Sequence, residues 1–154
     1  MERWDIYDKN KVRTGRTMER NHFNLADDEY HLTVLGVIRR PDGRFLITKR
    51  VMTKAWAPGW WEVSGGAAQA GEESEEAVRR EVLEETGLDV KEAEGGYVFT
   101  YHRENPGEGD NYFVDVYRCY GTRCPSADGR NRRMSVCYTR RDQGTRRSGN
   151  FPAL

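Results

Sequence analysis

No stretch of the 154 residues approaches the roughly 18 consecutive apolar positions that a membrane-spanning helix needs, and the opening MERWDIYDKN is too polar for a secretory leader. The expectation is a cytoplasmic chain with no membrane partner. Cysteine is scarce and odd in number, three in all, which argues against a disulfide framework. Net charge is lacking too. With 25 basic side chains against 25 acidic ones, no excess positive charge draws the whole protein to nucleic acid. There is no internal repeat, no low-complexity tract and, at this length, no room for a second full domain.

Another absence is local. Residues 119–154 hold eight Arg and two Asp but no Lys and no Glu, a balance of +6, whereas residues 1–118 hold 17 basic and 23 acidic side chains, a balance of −6. Neutrality is a cancellation between an acidic body and a basic tail. All three cysteines (Cys119, Cys124, Cys137) lie in that tail, which has only six large apolar residues in 36 and no stripe at helical spacing. The bias to Arg, Gly, Ser and Cys with loss of hydrophobic period is what an out-of-frame reading of a GC-rich gene would produce; a functional basic arm is the competing account. The expected organisation is a folded domain over 1–118 and an atypical Arg-rich tail over 119–154, disordered or frameshifted, that leaves the sheet with an exposed edge.

What is present reads as alternating strands around one helix. The N-terminal thirty residues carry isolated apolar signals (Trp4, Ile6, Val12, Phe23) between polar turns, consistent with a small hairpin or arm. HLTVLGVIRR and RFLITKR flank the turn residues PDG and predict a hairpin over 31–50, and WEVS predicts a short strand ending at Gly65 and Gly66. SEEAVRREVLEET predicts a helix over 74–86, with Ser74 as N-cap, Gly87 as the left-handed stop, and Ala77, Val78, Val82 and Leu83 as the side to bury. GYVFTYHR and NYFVDVYR predict a second hairpin across the loop ENPGEGD; Tyr97, Phe99 and Tyr101 alternate with Val98 and Thr100, so one set faces the core.

Glu81, Glu84 and Glu85 stand at i, i+3 and i+4, which places three carboxylates within about 100° of helical arc. At about 6 Å and an effective dielectric near 20, each ionised pair costs about 3 kcal/mol before screening, so a cleft holding all three favours a cation. An oxygen-only donor set suits Mg²⁺ or Mn²⁺. Alone, such a run is the composition of a solvated helix face. The frame around it is more specific: Gly66, five residues, Glu72, seven residues, then Arg80 to Leu88 as REVLEETGL. This resembles the signature of the Nudix hydrolases at every specified position.

The resemblance implies an α/β/α sandwich with a mixed sheet and an atypical C-terminal part. It implies a loop, helix, loop unit over 66–88 in which Glu81, Glu84, Glu85 and often the Gly66 carbonyl hold divalent metal. Glu72 and Arg80 would form a pair that orients Glu81. The implied reaction is attack of metal-activated water on a nucleoside diphosphate linked to another group, a small-molecule substrate. Arg50 and Lys54 could face the diphosphate, or be charges at a strand end. Trp60 and Trp61 could stack on a base, though a Trp leading into a strand is more often core. Nudix domains commonly add a further acidic residue near the metal; Glu104 and Glu108 are the candidates if their loop folds over the box. Related folds often dimerise, which leaves a homodimer open.

The N-terminal WDIYDKNKVRTGRTMERN and the strand HLTVLGVI look like the branch similar to type I isopentenyl-diphosphate isomerase, which offers isoprenoid proton transfer as a rival. That branch places a catalytic cysteine before the box helix, and WAPGWWEVSGGAAQAGE contains none. The other rival is a binding module without turnover, against which the intact carboxylates argue. Neither Tyr101 nor Pro106 stands at a spacing that picks a substrate.

Overall fold

The computed structural model describes residues 1–50, 52–53 and 57–120, and the backbone of 135–139. Lys54, Cys124 and most of the basic tail lie outside the described residues.

The chain begins with an antiparallel hairpin, β1 (Arg3–Asp8) and β2 (Arg13–Glu19), as the scattered apolar signals suggested. β3 (Glu29–Arg39) is the long central strand. It pairs in parallel with β8 (Tyr112–Tyr120), from His31↔Tyr112 to Arg39↔Tyr120, and antiparallel with β6 (Ser64–Ala67). β7 (Glu94–Arg103) adds antiparallel to β8. The expected hairpin of β3 with β4 (Phe45–Lys49) forms, but the two pair only at Arg39↔Phe45 before they diverge. β4 turns instead to β5 (Trp61–Glu62) and to the backbone of β9 (Ser135–Thr139). One sheet thus mixes parallel and antiparallel pairs, as the α/β reading required.

The helix α1 (Ser74–Thr86) has the bounds read from its helix formers, and Gly87 ends it at φ 74. Its N-cap is Glu73 rather than Ser74: Glu73 and Glu76 exchange side-chain bonds with each other's backbone in a capping box. Ala77, Val78, Val82 and Thr86 are buried, but Leu83 is 50% exposed, because it lies 100° round the helix from Val82 and off the contact face. α1 rests against β3 at Gly36, where a Cβ would fall 2.7 Å from Val82 Cγ2, so a side chain there would lift the helix off the sheet. Tyr30, Leu32, Val34 and Ile38 of β3 and Phe113, Tyr117 and Cys119 of β8 complete the core with the helix. The hairpin residues Trp4, Ile6 and Met18 form a second cluster with Leu25.

Two aromatic expectations change. Trp60 and Trp61 are 45% and 36% exposed, not core; β5 is only two residues long, and Lys49 Nζ sits 5.7 Å from the Trp61 ring centre. In β7 a bulge at Val98, between Tyr97↔Tyr117 and Phe99↔Val116, breaks the alternation, and Tyr97, Val98 and Phe99 are all exposed. Among the described residues no helix is long and apolar enough to cross a membrane.

Candidate active site

Residues 66–88 bring strand β6, the loop 68–73 and α1 together, and the side chains singled out by spacing converge there. The Glu81 carboxylate lies against the bare Cα of Gly66: a Cβ at that position would meet Glu81 Oε1 at 2.5 Å and push the carboxylate from its present place. Arg80 is the hub. Its Nε and Nη2 donate to the two Glu72 oxygens at 2.8 and 2.9 Å, its Nη1 donates to Glu81 Oε1 at 2.7 Å, and its Nη2 also reaches the Ala67 carbonyl at 3.2 Å. Glu72 Oε2 further accepts from the Gln69 N–H at 2.9 Å. Glu84 is more open, with a side chain 60% exposed and Oε2 3.6 Å from Arg80 Nη1.

Electrostatics separates these acids. Burial pushes Glu72 up, but the Arg80 guanidinium and the Gln69 N–H outweigh it and leave the carboxyl below its ordinary range. Glu72 in turn holds Arg80 firmly protonated. Burial raises Glu81 in spite of Arg80. Glu85 moves furthest, up to about 7, through burial first and then the charges of Glu81 and Glu62, against which the Gly65 N–H at 3.2 Å is a partial offset.

These residues fit a hard divalent cation. The donors are all oxygen, and the two raised carboxyls suffer burial and mutual repulsion, the two costs that a cation removes. Among the described residues no three acidic, histidine or cysteine side chains already stand in a ligating array.

The other expected residues divide. Arg50 grips Glu62 through Nη1 at 2.9 and 3.2 Å, and Glu62 lies within the field felt by Glu85, so Arg50 stands one carboxylate away from the cluster. Glu104 and Glu108 are not folded over the box. Glu104 accepts from the Tyr30 hydroxyl at 2.8 Å, and their loop is tied to residues 25–31 by Leu25 N–H to Gly109 O at 3.1 Å and by Asn111. Glu62 was missed; the alternation Glu62, Ser64, Gly66 was the signal that could have found it. A concavity of about 540 Å³ lined by Arg3, Arg16, Glu19, His22 and Glu29 contains none of the box residues.

A mixed sheet with a helix packed on it, and with the Glu81 carboxylate of that helix set against Gly66 of the neighbouring strand, defines an α/β domain with an acidic site at the helix–sheet junction. The NUDIX domain family model matches residues 29–152, and the chain belongs to the Nudix hydrolase family. An uncharacterised Nudix hydrolase of Listeria monocytogenes is 37% identical over 115 residues, 74% of this chain and 67% of the relative. The nucleoside triphosphatase NudI of Salmonella heidelberg is 42% identical over 55 residues, 36% of this chain and 39% of its own. The crystal structure of DR0079 from Deinococcus radiodurans shares the fold with TM-score 0.71 at 23% identity, covering 90% of this chain and 83% of that one. A MutT structure from work on Aliivibrio salmonicida and Vibrio cholerae aligns with TM-score 0.53 at 28% identity, over 70% and 77% of the two chains. Nudix hydrolases generally use a divalent metal.

Proposed function

We propose that this protein is a cytoplasmic pyrophosphohydrolase that cleaves a nucleoside diphosphate linked to another group, with Glu81, Glu84, Glu85 and the Gly66 carbonyl holding Mg²⁺ or Mn²⁺. The carrying observation is the pair Glu81 and Glu85, half-buried one turn apart on α1 beside Gly65 and Gly66, with both carboxyls raised. When bound, the cation would lower the pKa of a water and offset charge growing on the phosphate oxygens. The chain's own groups do the positioning. Arg80, braced by Glu72, fixes Glu81 Oε1, while the Gly65 N–H fixes Glu85 Oε2. Exposed Trp60 and Trp61 offer stacking surfaces for a base next to the Arg50–Glu62 pair. The family match runs on to residue 152, so the catalytic domain in this reading extends beyond the 1–118 expected from composition.

The test is a panel of nucleoside triphosphates, oxidised nucleoside triphosphates, ADP-ribose and diadenosine polyphosphates with Mg²⁺ or Mn²⁺, read as phosphate after phosphatase coupling. Release that needs the metal and is lost in Glu85→Gln supports the proposal. Absence of such release across the panel would sink it. Isomerisation of an isoprenoid diphosphate, run alongside, should give no product.

A further inference from the structure

The N-terminal hairpin does more than cover the second apolar cluster. It reaches four consecutive residues at the entrance to α1, Ala70 to Glu73, and through Asp115 a fifth, Ser74. The Ala70 N–H donates to Arg3 O at 2.8 Å, and the Gly71 N–H donates to Asp5 Oδ2 at 2.8 Å. Arg13 donates through Nη2 to the Glu72 carbonyl and through Nη1 to Glu73 Oε1, both at 2.7 Å, while its Nε lies 3.1 Å from Asp5 Oδ2 and 3.2 Å from the Tyr7 hydroxyl. Lys11, held at φ 61 in the β1–β2 turn, pairs with the buried Asp115, which accepts from Ser74 Oγ at 2.6 Å. Glu72 is both the residue whose backbone Arg13 holds and the residue whose side chain holds Arg80, and Arg80 holds Glu81. A continuous chain of bonds therefore runs from the hairpin to the carboxylates.

All of these hairpin residues precede residue 29, where the family model's match begins. We infer that the β1–β2 hairpin is a clamp that sets the position of the box helix, with Arg13 as a positioning residue acting through Glu72 and Arg80 on Glu81. This rests on the metal-site reading above. Geometry rather than bond strength is the argument, since Arg13 is 36% and Glu73 69% exposed and such a pair alone contributes little to stability. What Arg13 restricts is where residues 71–73 sit, and a ligand displaced by a fraction of an ångström binds metal more weakly.

The experiment compares the full chain with Arg13→Ala, Arg13→Lys and Arg16→Ala. Arg16 belongs to the same hairpin but pairs with Glu29, away from α1. Free Mn²⁺ is titrated by electron paramagnetic resonance without nucleotide, kcat and KM are measured on the best panel substrate, and amide exchange is followed over residues 69–86. Arg13→Ala should weaken Mn²⁺ binding about 10-fold and lower kcat more than KM, with faster exchange at 70–74. Arg13→Lys should recover part of each change, and Arg16→Ala should match the parent. Unchanged exchange in Arg13→Ala overturns the clamp whatever the metal does. Faster exchange with parental Mn²⁺ affinity and kcat reduces the hairpin to a structural brace and also overturns the proposal. If the parent itself binds no Mn²⁺ and hydrolyses nothing, the metal-site reading fails, and the positioning role fails with it even where exchange shows the clamp.

Discussion

The two ends of α1 each bury carboxylate charge against the sheet, and they treat it in opposite ways. At the N-terminal turn Asp115, 2% exposed, is surrounded by the chain's own donors: Lys11, Thr100 and Ser74, with Tyr117 donating onward to Ser74. Toward the C-terminal half Glu81 and Glu85 stand one turn apart, Arg80 bonds the first of them, and the second, repelled by Glu81, is driven to about 7. Charge that the fold answers with its own groups is architectural; charge it leaves repelling is where stability has been given up for a ligand.

The largest test of that contrast is Glu85→Gln. Activity should fall about 10³-fold or more, while thermal stability in EDTA at pH 8 should rise because a buried repelling charge has gone. A fall in stability would place Glu85 with Asp115 as a structural acid.

The pH dependence in EDTA carries the same sign. The folded carboxyl of Glu85 is raised to about 7 from 4.5, so between those values the folded state binds more protons than the unfolded one. Stability from this group is therefore lost as pH rises from about 4.5 to 7, by at most about 3 kcal/mol. Added Mg²⁺ at pH 8 should restore it, which denaturant midpoints at several pH values will measure. Arg80→Lys should come next, weakening metal binding about 10- to 100-fold because a single ammonium cannot hold both Glu72 oxygens and Glu81 together. Asp115→Asn should cost about 2 kcal/mol by leaving Lys11 without its partner, with kcat per folded molecule changed only a few-fold.

What the sequence made legible follows the range of the interactions. The bounds of α1 were readable because helix formers and Gly87 act locally, and Glu72, Arg80, Glu81, Glu84 and Glu85 because their spacing resembles a known box. Ser74 was misread as the cap since its hydroxyl is taken by Asp115, 41 residues on, leaving Glu73 to cap with Glu76. Arg13 stayed hidden because its partner carbonyl is 59 residues away, and no local pattern reports that. Glu62 looked like an ordinary strand polar residue until Glu85 was seen beside it. The bulge at Val98 overrode a clean alternation in the same way, through register with β8 rather than propensity.

The smallest expected effect concerns the outward side of the same helix. Leu83 stands between Val82, fully buried on Gly36, and Glu84, largely exposed, and its own side chain is half in solvent. If the contact face is the one seen, Leu83→Ala should change stability by no more than about 0.5 kcal/mol, whereas Val82→Ala removes methyls from the helix–sheet contact and should cost about 2 kcal/mol. Equal losses in the two variants, read by denaturant melts, would mean that Leu83 is covered in solution. The carboxylates at 81, 84 and 85 would then lie beside a second packed surface instead of an open one, and the contrast between the two ends of the helix would have to be redrawn around that cover.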